Sequence, residues 1–400
     1  GQFYGIEIND FAVTVAKTSL WIAESQMMKE TEEIVNANLD FLPLKSYANI
    51  VEGNALRMDW ESVVPKEKLD YIMGNPPFVG YSLQSKEQKA DILSVYVDEK
   101  GKPYKTAGKI DYVAGWYFKA AELIQRTKTT CERFGIEINF AYKTFRWDSE
   151  STQKAHVHCV IIGFSCHTDS ENLRFSNGKI IYNSDGTFIK AKNISPYLID
   201  SDNVFIESRN KPLCNVPYFC AGNRPADGGF LLIEGYDYDN FIKEEPKAKM
   251  YIKRYMMGEE FLYNKPRYCL WLVNANPADL RKMPKVMERI SLCQKSRLSS
   301  SDSGRRKLAE TPHLFRETDV PEQYLALPFV SSEKRKYIPM DFYTNEVIPG
   351  DGGLNLIGNA SLYHFGILTS TVHMSWMRAV CGRLEMRYRY SAKVVYNNFP

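Results

Sequence analysis

The sequence predicts an α/β chain, with an open, doubly wound, Rossmann-like sheet first and a separate α+β region after it. Three observations carry this prediction. Residues 3–8, Phe-Tyr-Gly-Ile-Glu-Ile, read as a short buried strand that ends on a single carboxylate. Residues 47–52 read as a second strand and lead into Gly53-Asn54-Ala55-Leu56. Residues 69–73 read as a third, stopped by Gly74-Asn75-Pro76-Pro77-Phe78. Each places polar groups at the carboxyl end of a strand, the edge where open α/β sheets hold ligands.

The first strand is followed by Asn9 and Asp10, either of which caps an amphipathic helix to about residue 28. An acidic residue at such a strand end is the usual partner of a ribose diol, so Glu7 is a candidate for that role. Alone, a solvated strand-end charge is the better reading of Glu7; its convergence with Asn75 reverses that order. Gly53-Asn54 is by itself an ordinary turn signal.

The third segment is the most specific. Proline fixes φ and offers no ladder donor, so a strand must end at Pro76-Pro77, and Gly74 permits a sharp turn there. What remains is a rigid loop with one amide, unpaired carbonyls and one ring. The Asn75 side-chain oxygen and the Pro76 carbonyl can accept both N–H bonds of an exocyclic amino group while Phe78 stacks on the base that carries it. That arrangement draws the amine nitrogen toward tetrahedral geometry and frees its lone pair for attack. An ordinary Asn-Pro-Pro turn is the alternative for the tripeptide alone.

Further along, residues 82–109 are polar and hold Lys86, Lys89, Lys100, Lys102, Lys105 and Lys109. A loop touching phosphate and a solvated helix and loop are equal readings. An amphipathic helix follows from Asp111 to about residue 125. A doubly wound sheet needs another strand next, yet the sequence passes to Phe134-Gly135-Ile136 without one, so residues are expected to be missing near 130–132. Residues 136–142 and 155–164 read as a closing antiparallel hairpin. The loop between them, Lys143-Thr144-Phe145-Arg146-Trp147, offers Phe145 and Trp147 as a second wall for a flipped base; core packing is the equal alternative. His156 and His158 alternate on one strand without a carboxylate or cysteine at ligand spacing, and no metal is expected.

Composition bounds the rest. The 400 residues carry a net charge of +3, so an anionic partner must be met by a local patch. Eight cysteines form no Cys-x-x-Cys pair, which argues against a zinc site or a disulfide framework and for reduced thiols in the cytoplasm. No signal peptide and no run of membrane-spanning length is present. The chain opens without methionine, as a fragment of something longer would. Residues 166–195 are turn-rich and read as connecting hairpins. From about residue 196 aromatics, prolines and basic residues mix. Within 281–307 stand nine basic residues, Arg281, Lys282, Lys285, Arg289, Lys295, Arg297, Arg305, Arg306 and Lys307, against Glu288 and Asp302. A helix of that composition lies along a phosphate backbone or is simply solvated. Near the end, Glu385-Met386-Arg387 spaces two opposite charges two apart. On an extended segment both enter one groove, where arginine suits guanine and a carboxylate suits cytosine. A surface ion pair is the alternative.

The stretch 74–78 resembles the Asn-Pro-Pro-Tyr/Phe motif of S-adenosylmethionine-dependent adenine-N6 methyltransferases. Gly135-Ile136-Glu137-Ile138-Asn139-Phe140-Ala141-Tyr142-Lys143-Thr144-Phe145-Arg146-Trp147 and Tyr390-Ser391-Ala392-Lys393-Val394-Val395-Tyr396-Asn397-Asn398-Phe399-Pro400 resemble the type IIG/IIL restriction–modification fusions. These join endonuclease, γ-type methyltransferase and target recognition domain in one chain. The resemblance covers nearly all the residues. It implies an incomplete class I methyltransferase domain over 1–165, connecting hairpins over 166–195 and a target recognition domain over 196–400. It implies that Glu7 holds the cofactor ribose and Ile8 packs on its adenine. Asn54 would bond the adenine amino group and Ala55 or Leu56 would cover its face, with Asn75, Pro76, Pro77 and Phe78 catalytic. The implied partner is double-stranded DNA, and the implied reaction is methyl transfer to a flipped adenine. The nuclease and spacer segment of such fusions would precede these residues in the full-length chain. Two other readings remain: a protein-glutamine or RNA methyltransferase using the same loop, and a catalytically idle DNA-specificity module.

Overall fold

The computed structural model describes residues 2–37, 49–124, 135–148, 156–166, 178–384 and 386–400, with the backbone alone at 146–148, 156–158 and 166. It divides into two units, 1–139 with 163–178, and 140–162 with 179–400.

In the first unit, strands β1 (Gly5–Glu7) and β2 (Ile50–Glu52) pair in parallel, with Glu7 opposite Glu52. Helix α1 (Asp10–Val35) leaves β1 at once, because the Asn9 side chain accepts the Ala12 N–H at 3.0 Å. It runs seven residues past the expected end, since nothing from Lys29 to Val35 breaks a helix, and it stops where Asn36 turns left-handed at φ 52°. Ser85 and Gln88 form a capping box on α2 (Lys86–Val95). Helix α3 (Ala114–Ile124) begins three residues later than the sequence suggests, because Asp111 is used elsewhere. Leu56, Ile92, Val95, Tyr112 and Phe118 form the core between these elements. Gly115 permits the close approach: a Cβ there would meet both Leu56 methyls at 3.0 Å.

Residues 69–73 do not form the expected strand. No ladder hydrogen bond reaches them among the described residues, and Tyr71 and Met73 are 83% and 86% exposed. An apolar run becomes a strand only where a neighbour supplies the ladder, and β1 and β2 pair with each other instead.

The boundary between the units falls within β3 (Ile136–Asp148) and β4 (His156–Cys166). These two join β5 (Lys179–Tyr182) and β6 (Phe188–Ala191) in the order β4-β3-β5-β6. Residues 143–147 continue β3 instead of forming a loop, as a stretch rich in aromatic and β-branched residues without glycine or proline would. The expected missing residues near 130–132 lie outside the described residues.

The second unit continues with β7 (Phe219–Ala221), β8 (Leu232–Glu234), β9 (Ile252–Met256), β10 (Arg267–Leu270), β11 (Gln323–Pro328) and β12 (Val330–Ser331). After these come β13 (Asp341–Thr344), β14 (Val347–Pro349), β15 (Leu354–Gly358), β16 (Gly382–Leu384) and β17 (Arg387–Arg389). They form three sheets, β14-β9-β10-β8, β13-β11-β15-β7 and β12-β17-β16. The helices are α4 (Tyr238–Glu244), α5 (Gly258–Tyr263), α6 (Pro277–Leu280), α7 (Pro284–Leu298), α8 (Ser303–Lys307), α9 (Leu362–Leu368) and α10 (Thr371–Val380). One core gathers Leu325, Leu327 and Ile357 from the second sheet against Met374 and Met377 of α10. Another gathers Ile233 and Leu270 against Val286 and Ile290 of α7. The six cysteines whose side chains are described are free, and no described helix is long and apolar enough to cross a membrane.

The basic stretch 281–307 is therefore not one helix, and Arg297 is not on its surface. Val286, Ile290, Cys293 and Arg297 recur at helical spacing and are all buried. Arg297 is wholly enclosed. Its guanidinium donates to the carbonyls of Pro225 (2.8 Å), Ala226 (3.1 Å), Leu308 (2.7 Å), Thr311 (3.0 Å) and Leu314 (2.6 Å). Burial pulls its pKa down, but five carbonyl dipoles replace the lost water. It fastens two segments, 225–226 and 308–314, to α7, and its enclosed guanidinium is not presented to a phosphate backbone. Arg297→Met should leave those carbonyls without donors and cost roughly 3 kcal/mol or more of folding stability, read as a lower urea midpoint at unchanged slope.

Candidate active site

Glu7 closes β1, and its backbone carbonyl accepts the Gly53 N–H at 2.9 Å, so the two strand ends are tied together. Its side-chain Oε1 accepts the Asn9 N–H at 3.0 Å, leaving Oε2 without a partner among the described residues. Ile8 beside it is 68% exposed. Across the ladder Glu52 adds a second carboxylate to this edge. A Cβ at Gly53 would meet only the Met58 side chain, which is flexible enough to turn aside.

The loop after β2 is held from both sides. The Asn54 Oδ1 accepts the Leu56 N–H at 2.9 Å, and its Nδ2 donates to Asp91 Oδ2 at 3.0 Å. Asp91 also accepts from Tyr112 OH at 2.8 Å and Arg57 Nε at 2.6 Å. Burial alone would raise the Asp91 carboxyl; the bonds from Arg57, Tyr112 and Asn54 hold it below its ordinary value. Burial, and then Asp91 itself, push the Tyr112 hydroxyl up to about 12. The Ala55 carbonyl accepts from Trp60 Nε1 at 2.8 Å and Lys119 Nζ at 3.0 Å, and Lys119 also bonds the Leu56 and Met58 carbonyls. Burial lowers the Lys119 pKa. Leu56 is 3% exposed and belongs to the core, whereas Ala55 is half-buried.

The motif itself is open. Asn75 and Pro77 are exposed, Pro76 is half-buried and Phe78 is 51% exposed. Among the described residues neither the Asn75 side chain nor the Pro76 carbonyl takes part in a hydrogen bond. The loop is anchored just after the ring. Tyr112 N–H donates to the Val79 carbonyl at 2.9 Å, Asp111 accepts the Tyr81 N–H at 2.9 Å, and Gln84 bonds the Ile110 carbonyl at 2.8 Å. A continuous path, Asn54–Asp91–Tyr112–Val79, thus links the two loops. Asp91, Asp111, Tyr112 and Lys119 were not apparent from the sequence. The available signal was a lone acid, Asp91, beside Ile92 on the buried stripe of α2.

Phe145 and Trp147 lie on β3 in the second unit. The Phe145 ring packs edge-on against Tyr142, 6.5 Å between centroids; the Trp147 side chain lies outside the described residues.

The remaining basic residues divide by what already holds them. Lys295 and Lys307 are exposed with no partner among the described residues. Arg281 bonds the Pro277 carbonyl, Lys282 pairs with Asp279, Lys285 with Glu244 and Glu288, and Arg306 bonds the Ser300 and Ser301 carbonyls; all four are exposed. Arg305 is half-buried against Ser296. Arg289 bonds the Phe230 and Leu232 carbonyls at 3.0 Å each, over the Phe241 ring, so it is largely committed to the fold. A cavity of about 720 Å³ opens nearby, but its charges are already paired, Arg267 with Glu234 and Lys265 with Glu259. In the β16–β17 hairpin Leu384 stands opposite Arg387, so the segment doubles back and is not one extended strand. Arg387 is exposed; Glu385 lies outside the described residues. Arg383 stacks on Tyr388 at 4.3 Å and Arg389 on Phe329 at 4.9 Å, two arginines the sequence reading passed over.

Comparison with known proteins agrees with this layout. The family described as "MmeI, DNA-methyltransferase domain" matches residues 1–134 and 130–176, and "MmeI, target recognition domain" matches residues 200–400. A protein named DNA methyltransferase A from Bacillus subtilis (strain 168) is 39% identical over 424 aligned residues, covering 100% of this chain and 47% of that protein. The solved structure of the type IIL restriction-modification enzyme MmeI in complex with DNA superposes with a TM-score of 0.85 at 39% identity, covering 99% of this chain and 55% of that one. The chain therefore spans about half the length of these relatives. Matched along both parts, it belongs to the MmeI family, with an α/β DNA-methyltransferase domain followed by a target recognition domain.

Proposed function

We propose that this chain methylates the exocyclic N6 of an adenine flipped out of duplex DNA, using S-adenosylmethionine, as part of a longer restriction–modification protein of the cytoplasm. The observation that carries the reading is the pair of uncommitted acceptors, Asn75 Oδ1 and the Pro76 carbonyl, beside the half-exposed Phe78 ring. The division proposed for the work is residues 1–165 for methyl transfer, 166–195 as connection and 196–400 for recognition.

The residues suit the cofactor. The free Glu7 oxygen is an acceptor for a ribose diol, exposed Ile8 offers an apolar face, and the Asn54-Ala55 loop is fixed for an adenine. When bound, S-adenosylmethionine would supply an electrophilic methyl group, its C–S electrons passing to sulfur as the amine lone pair forms the C–N bond and one amine proton is released to solvent. Asn75 and Pro76 hold both amine hydrogens and keep that lone pair out of the ring. Phe78 receives the base. The prolines fix the loop in advance, so little ordering is left to the reaction itself. Lys295 and Lys307 are the most available phosphate contacts, with Arg281, Lys282, Lys285, Arg305 and Arg306 behind them.

Asn75→Ala should reduce methyl transfer far more than tenfold while leaving DNA affinity nearly unchanged, because the amide acts on the amine and not on phosphate. Single-turnover transfer of a tritiated methyl group reads this; a variant keeping more than about a tenth of the turnover, roughly 1.4 kcal/mol of barrier, removes Asn75 from the role. Transfer to a peptide and not to DNA would favour the glutamine reading, and no transfer to either the idle specificity module.

Glu7→Ala should weaken cofactor binding by roughly tenfold or more, with a smaller effect on the rate of the loaded complex, since the ribose hydroxyls keep their charge in the transition state. Calorimetric titration of the cofactor into the full-length protein measures it, and unchanged affinity would refute the assignment.

For base reading, Glu385 and Arg387 are proposed to address one C·G pair beside the target adenine. The joint exchange Glu385→Lys with Arg387→Asp should change the base preferred there, whereas either change alone should mainly cost activity. Sequencing methylated DNA from expressing cells reports the site; an unaltered site at undiminished rate sinks the pairing.

A further inference from the structure

We propose that Asp91 is a positioning residue that decides which end of the Asn54 side chain faces the cofactor, and thereby makes the site select a 6-amino purine. This rests on the reading that S-adenosylmethionine binds between Glu7 and Asn54. An asparagine amide presents an acceptor at one end and donors at the other, and a half-turn about its last bond exchanges them. Here the exchange is blocked twice. Oδ1 receives the Leu56 N–H at 2.9 Å, and Nδ2 gives to Asp91 Oδ2 at 3.0 Å. Turned over, the amide would set an oxygen against a carboxylate and an NH2 against an N–H. As held, Oδ1 keeps one lone pair for the hydrogen of an amino group.

The polarity of Asp91 is set in turn by its other neighbours. Asp91 is 3% exposed, and its carboxylate receives Arg57 Nε at 2.6 Å on one oxygen, and Tyr112 OH at 2.8 Å with Asn54 on the other. The arginine can only donate, while the tyrosine hydroxyl can donate or accept. In Asp91→Asn the new side chain must therefore turn its oxygen to Arg57 and its NH2 toward Asn54. Asn54 then turns over to accept, gives up the Leu56 bond, and shows the cofactor a donor. The shape of the site is nearly preserved, and its hydrogen-bond sense is reversed.

The test is binding of S-adenosylhomocysteine against its purine-riboside analogue, in which hydrogen replaces the 6-amino group, to the full-length protein. The wild type should prefer the amino compound by roughly tenfold. Asp91→Asn should bring the two affinities within about twofold of each other by weakening the amino compound; general loosening of the loop would weaken both alike and keep the ratio. The exchange Asn54→Asp with Asp91→Asn restores an acceptor-only group facing an NH2 and should return the preference, and it carries the test where the single variant does not fold. A single variant with the wild-type ratio, or an exchange variant that binds both compounds equally, overturns the positioning role. A wild type that binds neither compound removes the cofactor reading itself, and this proposal with it.

Discussion

The methyltransferase unit depends on one buried charge. A carboxylate taken out of water is costly unless every acceptor site it loses is replaced. Asp91 largely meets that condition with three donors from two segments, Asn54 and Arg57 of the loop after β2 and Tyr112 of the turn before α3. Because the charge must be satisfied, those segments cannot move independently. The same Tyr112 that bonds Asp91 through its hydroxyl holds the segment after Phe78 through its backbone N–H. The open loop 74–78 is thus steadied from behind by groups that leave Asn75, the Pro76 carbonyl and the Phe78 ring uncommitted.

The recognition unit meets the same constraint with the opposite sign. Arg297 occupies a buried position on α7, and backbone carbonyls surround it in place of counter-charges. Carbonyls are dipoles, so the cation keeps its charge without a carboxylate partner and helps Gln294 and the Cys293–Phe315 core hold these turns to α7. Basic residues in one stretch therefore do two different jobs. Exposed Lys295 and Lys307 have no partner among the described residues, whereas Arg289 and Arg297 are held by backbone carbonyls and are structural.

The parts of the site legible in the sequence were those marked by local chemistry. Pro76-Pro77 announces a rigid loop wherever it occurs, and Asn9 marks the start of α1 and so the end of the strand carrying Glu7. What could not be read depended on distant partners. Asp91 meets Asn54 across 37 residues, and nothing in either neighbourhood names the other. Residues 69–73 looked like a strand because their composition is apolar, but a ladder needs a second edge, which composition does not report. Residues 143–147 looked like a loop because two strands were expected to close around them, and the β-forming run simply continued. Arg297 was misread by counting charge along a stretch instead of asking which side of the helix each charge occupies; its spacing from Val286, Ile290 and Cys293 held the answer.

The β16–β17 hairpin has a consequence for how the protein changes over generations. Tyr388 and Tyr390 are buried in the recognition core, while Arg387 and Arg389 alternate with them on the exposed side. Substitutions at exposed positions usually cost less stability than those in a core, so the outward residues can change at less cost to the fold than the tyrosines that seat the hairpin, Arg389 being held in part by its stacking on Phe329. A lineage built this way acquires new chemistry at one edge without first having to survive a damaged fold.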